Sequence, residues 1–325
     1  MALVTYVEAI QQGLREELQR DANVFLIGED LGVYGGAFKV TKGLLDEFGP
    51  QRIIDTPISE AAIIGAAVGA AVRGMRPVAE MQFSDFITNG FNQVVNIAAT
   101  TYYRWRVPVP LVVRCPSGGG FSGGPFHSRN PEVWFAHQPG LKIVCPATAY
   151  DAKGLLKAAI RDDNPVLFFE HKNLYRKIKD EVPEGDYTVP IGVARIAHEG
   201  ANATVITYGS AVHWAVEAAG RVEAATGRSV EVVDLRSIYP LDLDMITASV
   251  RKTGRVLIAH EDNLTAGFGA EIAARITDTV FEYLDAPVRR IGALDIPTPY
   301  APALEQYMLP NAGTIESSLH ELLSY

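Results

Sequence analysis

Short apolar runs bounded by turn-forming residues alternate along the chain with stretches whose apolar positions recur every three to four residues. The runs are VFLIGED, RPVAEMQF, VPLVVRCP, GLKIVCPA and NPVLFFEH, and YDAKGLLKAAIRD, with helical spacing, stands between the later ones. Runs of this length suit buried strands, and their alternation with helices predicts an α/β domain with a mostly parallel sheet. The segment VPEGDYTVPIG breaks the rhythm with proline, glycine and acidic residues, and the linker belongs there. Beyond it the pattern restarts: ATVITYG, a helix over about 212–225, SVEVVDL, a helix near 243–252, GRVLIAHE, a helix near 269–284, then PVRRIG. The expected organisation is therefore two α/β domains, 1–185 and 201–325, joined by 186–200. No internal repeat, low-complexity tract or heptad run is visible.

One segment departs from the amphipathic norm. In DTPISEAAIIGAAVGAAVRG, Glu60 is followed by twelve apolar or glycine residues before Arg73 restores a charge. Pro57 and Ser59 mark a helix start, with Ser59 expected to cap it, and Gly65 with Gly69 leaves one face without side chains. A helix apolar all round is expected to be buried, against its own core or another chain. Glu60 then sits in the first turn, where the helix dipole favours its anion and burial favours the neutral acid. Two readings stay open at this point: a surface glutamate that serves the dipole, or a carboxylate held in a closed cleft to share a proton with a bound base.

Composition narrows the field. Over 325 residues, 48% hydrophobic and 21% charged content is that of a globular protein. A net charge of −9 without a basic block argues against a nucleic-acid groove. Cys115 and Cys145 close apolar runs and are expected as reduced core thiols, which suits a cytoplasmic protein. MALVTYVEAIQQGLREEL carries acidic residues in helical spacing, so no signal peptide is expected, and no apolar stretch reaches the roughly 20 residues of a membrane span.

In the loop PSGGGFSGGPFHS, Gly118, Gly120 and Gly123 formally satisfy GxGxxG after a strand. A dinucleotide site needs a helix to start at the last glycine, and Pro125 with the polar residues after it opposes one. The loop instead offers backbone for close approach and ends in His127, an acid–base group that changes charge near neutral pH. His127, His137 and His171 have no zinc-ligand spacing with the carboxylates.

Together, GED near Glu29, DTPISE ending at Glu60, RPVAEMQFSDF ending at Phe86, HSRNPEVWFAHQPGLKIV from His127, YDAKGLLKAAIRDDNPVLFFE and the closing PTPYAP resemble the β subunit of thiamine-diphosphate-dependent 2-oxo acid dehydrogenases. The resemblance runs essentially end to end. It implies a pyrimidine-binding domain, a transketolase-type C-terminal domain and an α2β2 heterotetramer. The glutamate matching Glu60 would bond a ring nitrogen of the cofactor's aminopyrimidine and share a proton with it. Phe86 would stack on that ring, Glu29, Ile58 and Gln82 would line the pocket, and His127 would assist acyl transfer to a lipoyl group. Anchoring of magnesium and diphosphate in such enzymes typically uses a GDG motif, which this chain lacks. The resemblance therefore assigns that half of the site to the α subunit. Some relatives bind potassium at positions matching Leu111, Ala159, Asp162 and Asn164.

The implied reaction is oxidative decarboxylation of a 2-oxo acid with acylation of lipoamide on a separate dihydrolipoyl acyltransferase core. HSRNPEVWFAH, EHKNLYRKIKDEVP and IAHEDNLTAGFGAEIAARI resemble branched-chain enzymes acting on 2-oxoisovalerate more than pyruvate enzymes, while Phe86 in place of the tyrosine of several branched-chain relatives keeps pyruvate open, and acetoin is a further alternative. Two other classes remain as alternatives: a scaffold that mainly docks the acyltransferase core, and a nicotinamide-dependent dehydrogenase, which the context of the glycine loop disfavours.

Overall fold

The structure, a computed structural model, describes residues 2–325. The chain forms two compact units, Met1–Ser117 with Trp134–Ile191 and Gly118–Val133 with Gly192–Tyr325.

In the first unit, β1 (Ala2–Thr5) leads into helix α1 (Tyr6–Arg20). A reciprocal pair of bonds starts that helix: Thr5 Oγ accepts from the Glu8 amide and the Glu8 carboxylate accepts from the Thr5 amide, so two otherwise orphaned donors are satisfied. Next come β2 (Val24–Gly28), α2 (Leu44–Phe48), β3 (Ile53–Asp55), α3 (Glu60–Val72) and β4 (Arg76–Glu80). They are followed by α4 (Ala99–Trp105), β5 (Val112–Ser117), α5 (Glu132–Ala136), β6 (Lys142–Val144), α6 (Ala149–Arg161), β7 (Val166–His171) and β8 (Lys179–Val182). The strands run parallel in the order β6-β7-β5-β4-β2-β3, and β1 pairs antiparallel with β8 as a separate ribbon. One core layer joins α1 to α6 and the sheet through Ile10, Leu14, Leu155, Leu156 and Phe168, all fully buried. Every sheet strand is buried along its length at β2, β5 and β7, which is why these segments read as continuous apolar runs instead of alternating ones.

The second unit carries β9 (Arg195–His198), β10 (Ala203–Thr207), α7 (Ala211–Thr226), β11 (Val230–Asp234), β12 (Ser237–Tyr239), α8 (Leu243–Thr253), β13 (Val256–Asn263), α9 (Phe268–Val280), β14 (Arg289–Ala293), α10 (Pro302–Met308) and α11 (Ala312–Leu323). Its sheet has the order β14-β13-β10-β11-β9, parallel except for the β9 edge. Ala215, Ala218 and Ala219 of α7 face Ile315, Leu319 and Leu322 of α11 in one cluster, small residues against large ones. The helix expected over 269–284 ends at Val280, and a 3₁₀ turn, Phe281–Tyr283, takes its place. Neither helix nor strand lies between Val182 and Arg195.

Both cysteines are buried, and neither is in a disulfide. Among the described residues no helix is long and apolar enough to cross a membrane.

Candidate active site

Three neighbouring parallel strands, β4, β2 and β3, end side by side, and the segments leaving them carry Gln82, Glu29 and the start of α3. The C-terminal edge of such a sheet is where ligands bind in open α/β folds, because the strand ends diverge into loops and helix N-termini face the crevice. Close packing sets this edge: a side chain on Gly28 would lie 2.8 Å from the Glu80 carbonyl, and the Thr56 amide donates to the Gly28 carbonyl at 2.9 Å.

Glu60 is the first residue of α3 and only 8% exposed. Ser59 occupies the cap position, but its side chain makes no capping bond, contrary to the sequence expectation. The reason is its backbone, at φ −167° and ψ 73°: its carbonyl accepts from Ala62 and Ile63 at 2.9 Å, and its amide is given to the Glu29 carboxylate. Glu29 is also buried, and its Oε1 has no hydrogen-bond partner. Burial raises the Glu29 pKa, the charge of Glu60 raises it further, and the Ser59 amide opposes both. Two buried carboxylates thus lie close enough for one charge to act on the other, and Glu29 Oε1 has no donor among the described residues.

Gln82 Nε2 donates to Asp30 Oδ2 at 2.9 Å, and Asp30 is held at φ 57° in the turn after β2. Phe86 lies in the 3₁₀ segment Ser84–Gly90, half-buried, with its ring edge-on to Phe83 at 5.6 Å between centroids. Ile58, expected to line the pocket, is 83% exposed. The structure therefore gathers Glu29, Glu60, Gln82 and Phe86 at one edge of the sheet and leaves Ile58 on an open surface. Helix α3 itself is buried on one side through Ile63, Ile64, Ala67 and Val68, while Ala62, Ala66, Gly69 and Val72 are exposed. Its all-round burial is not met within this chain. An added side chain at Gly69 would meet nothing within 4 Å, and one at Gly65 only Gln93, at 3.7 Å.

Leu111, Ala159, Asp162 and Asn164 lie at the opposite, N-terminal edge, where β5 and β7 begin and α6 ends. The Leu111 carbonyl accepts from Val166 at 2.9 Å and the Ala159 carbonyl from the Asp162 amide at 3.3 Å. Asp162 accepts from the Asn164 amide at 2.9 Å and holds the Lys142 ammonium. Any cation there shares Asp162 with Lys142.

His127 belongs to the second unit, at the end of the 3₁₀ turn Gly124–Phe126, half-buried, with its amide donating to the Gly124 carbonyl at 3.3 Å. The glycine loop is not followed by a helix of pyrophosphate-binding length. Around it stands a set of buried acids that sequence reasoning missed. Glu132 is buried, accepts from Tyr208 Oη at 3.1 Å and leaves Oε2 unpartnered. Burial, then the charge of Asp262, pushes its pKa up to about 8, and burial likewise pushes Asp262 to about 7. His260, stacked on Tyr208, is lowered to about 4 by burial. In the folded state both acids hold protons more tightly than in the unfolded chain, so their contribution is complete below about pH 4 and is lost as pH rises through about 7 to 8. Glu132→Gln is expected to raise Tm by a few degrees near pH 9 and to make little difference near pH 5. Thermal scans of both proteins across that range check it, and equal Tm differences at the two pH values would refute it.

A third cluster lies inside the first unit. Glu80 and Arg114 are opposite each other on β4 and β5, and Glu170 follows on β7 two residues after Phe168, the partner of Arg114. The fully buried guanidinium donates to both carboxylates. Burial raises Glu80 and lifts Glu170 to about 7, and burial alone would lower Arg114, but the two acids outweigh it and hold it charged.

The parallel sheets, the acid-headed helix and the second α/β unit define a transketolase-type protein. Residues 3–177 match the family "Transketolase, pyrimidine binding domain" and residues 192–315 match "Transketolase, C-terminal domain". A solved structure described as "Split gene transketolase, inactive beta4 tetramer" superposes with a TM-score of 0.81 over 99% of this chain and 98% of that one, at 22% identity. Along its whole length the chain is 50% identical to "2-oxoisovalerate dehydrogenase subunit beta" of Bacillus subtilis (strain 168), whose entire length is covered. It is 44% identical to "Pyruvate dehydrogenase E1 component subunit beta" of the same organism, again over 100% of both chains. It is also 44% identical to the mitochondrial counterpart of Caenorhabditis elegans, over 99% of this chain and 93% of that one. The chain belongs to the β subunits of the thiamine-diphosphate-dependent 2-oxo acid dehydrogenases.

Proposed function

We propose that this chain supplies the proton-handling half of a 2-oxo acid dehydrogenase that acts on 2-oxoisovalerate and related branched-chain 2-oxo acids. The observation that carries the proposal is the pair Glu60 and Glu29, two buried carboxylates at the C-terminal sheet edge with Glu29 Oε1 unpartnered. Such a pair fits an aminopyrimidine, a ring that offers both a basic nitrogen and an amino donor. Glu60 would hold the ring nitrogen, Glu29 and Gln82 would line the pocket, and Phe86 would stack on the ring. Thiamine diphosphate, when bound, supplies the nucleophile and electron sink for the decarboxylation. This chain's part is to orient the ring, keep water out of the acid pair and move one proton at Glu60.

Magnesium and the diphosphate go to an α subunit, since this chain has no GDG. The exposed Ile58 and the exposed apolar stripe of α3 support an α2β2 assembly in which another subunit covers that surface. His127 assists transfer of the acyl group to the lipoyl domain of a dihydrolipoyl acyltransferase core. Potassium is assigned to the carbonyl cluster around Asp162, and a cytoplasmic setting accords with two buried cysteines outside any disulfide. The branched-chain preference rests on 50% identity to the 2-oxoisovalerate relative against 43–45% for pyruvate relatives.

The test is reconstitution with the α subunit, thiamine diphosphate and magnesium, followed by turnover of 2-oxoisovalerate, pyruvate and acetoin with an artificial electron acceptor, in potassium and in sodium buffer. The highest kcat/KM is expected for 2-oxoisovalerate, with a higher Tm in potassium. Preference for pyruvate or acetoin reassigns the substrate. No turnover of any of the three, with binding to the acyltransferase core intact, would make the chain a scaffold.

A further inference from the structure

The loop that carries His127 has an unusual backbone. Gly118, Gly120, Ser122 and Gly124 have φ of 88°, 82°, 62° and 71°, so left-handed residues alternate with ordinary ones. Alternation of this kind turns successive amides to one side and makes a concave anion site, a nest. Here the anions come from the chain itself. Glu305 Oε1 accepts from the Gly120 amide at 3.0 Å, and Glu305 Oε2 accepts from the Ser122 amide at 2.8 Å and from Ser122 Oγ at 3.4 Å. Glu261 Oε1 accepts from the Gly119 amide at 2.6 Å and from Asn130 Nδ2 at 3.2 Å, and Ser210 Oγ donates to its other oxygen. Both carboxylates are buried, at 2% and 7% exposure.

The segment behind Glu305 completes the seat. Glu305 stands in the first turn of α10, a few residues after Tyr300 of the PTPYAP motif. A side chain on Gly124 would fall 2.1 Å from Tyr300 Cε1, and one on Gly119 would lie 3.0 Å from Leu309 Cδ1 and 3.1 Å from Glu305 Oε1. The loop is therefore fixed from the inside by two carboxylates and pressed from one side by the 300–309 segment, and His127 follows directly on Gly124–Phe126.

We propose that Glu305, together with Glu261, is a positioning residue for acyl transfer: its carboxylate fills the nest and holds the loop in the one shape that presents His127 to the lipoyl group. The inference rests on the role given to His127 above. In that step one S–S bond of the dithiolane breaks, one sulfur takes the acyl group and the other takes a proton. Two electrons pass from the acyl carbon to the disulfide as that carbon gives up its bond to the cofactor, and His127 supplies the proton. Amide-to-carboxylate bonds are charge-assisted and stronger than neutral ones, so several of them can fix a loop that would otherwise sample many shapes. Glutamine is nearly isosteric but turns an N–H donor towards amides that are themselves donors.

The experiment uses the assembled heterotetramer with thiamine diphosphate and magnesium, carrying Glu305→Gln, Glu305→Asp or His127→Asn. Hydrogen exchange is read over 118–130, and activity is read both as decarboxylation with an artificial acceptor and as reductive acylation of a free lipoyl domain. For Glu305→Gln the amides of the loop should exchange about 10-fold faster or more. Its kcat for lipoyl acylation should fall by up to about 10²-fold, with decarboxylation within about two-fold of the parent and partial recovery in Glu305→Asp. Unchanged exchange in Glu305→Gln would overturn the clamp. Faster exchange with unchanged acylation, while His127→Asn loses acylation, would leave Glu305 a purely structural residue and overturn its positioning role. Unchanged acylation in His127→Asn would instead remove the role of His127 on which the inference stands.

Discussion

Glu60→Gln in the proposed α2β2 complex is expected to lower decarboxylation by about 10²–10⁴-fold, the usual worth of a positioned acid–base group, the role proposed for Glu60. The substitution keeps the volume and length of the side chain, and removes its charge and its ability to exchange a proton. Glu60 is 8% exposed, stands at the positive end of α3, and is close enough to Glu29 for its charge to raise that neighbour's pKa. In such a pocket water cannot replace the lost group, which is why the effect should fall on kcat and not on assembly. Turnover with an artificial acceptor, together with the mass of the complex and its bound thiamine diphosphate, checks the result. Activity within about 10-fold of the parent in an intact, cofactor-loaded complex would refute the role of Glu60.

Arg114→Met is expected to destabilise the first unit by roughly 3–5 kcal/mol, because it leaves Glu80 and Glu170 buried without a counter-charge. In a unit of this size that is on the order of 10 °C in Tm. The loss should be pH-dependent. Glu170 already sits near pKa 7 with Arg114 present, and without it both acids are driven further towards the neutral form. The folded-state pKa values then lie well above the unfolded ones, so the defect is smallest in acid and grows as pH rises through 7 and beyond. Adding Glu80→Gln and Glu170→Gln to Arg114→Met should recover most of the loss, since the cost comes from stranded charge and not from missing volume. Thermal unfolding of the single and triple variants at pH 5 and pH 8 measures both effects. A triple variant no more stable than Arg114→Met would show that packing, and not charge, sets the cost.

How far the sequence reveals this molecule depends on the range of the interaction concerned. The parallel strands were legible because burial on both faces makes them continuous apolar runs, and α6 because its apolar positions keep helical spacing. The β1–β8 ribbon was not, since KDEV has no alternation to mark it and becomes a strand only by pairing with ALVT at the other end of the unit. Helix α3 was legible as apolar but not as half-exposed, because composition alone cannot separate a chain's own core from a surface meant for another chain. Glu60 stood out as the one charge at the entrance to that helix. Glu261 and Glu305 did not, because their partners in the glycine loop lie 142 and 185 positions away. Arg114 was visible as a charge in an apolar run, but only the register of β4, β5 and β7 names its two acids.

The alternating backbone of the 118–124 loop also carries a rule of parity. Because left-handed and ordinary residues take turns, inserting or deleting one residue would set two of the same hand in succession and turn the amides beyond that point away from Glu305. A change of two residues would restore the original sense. Length variation in this loop is therefore constrained in steps of two, a restriction that no single side chain imposes.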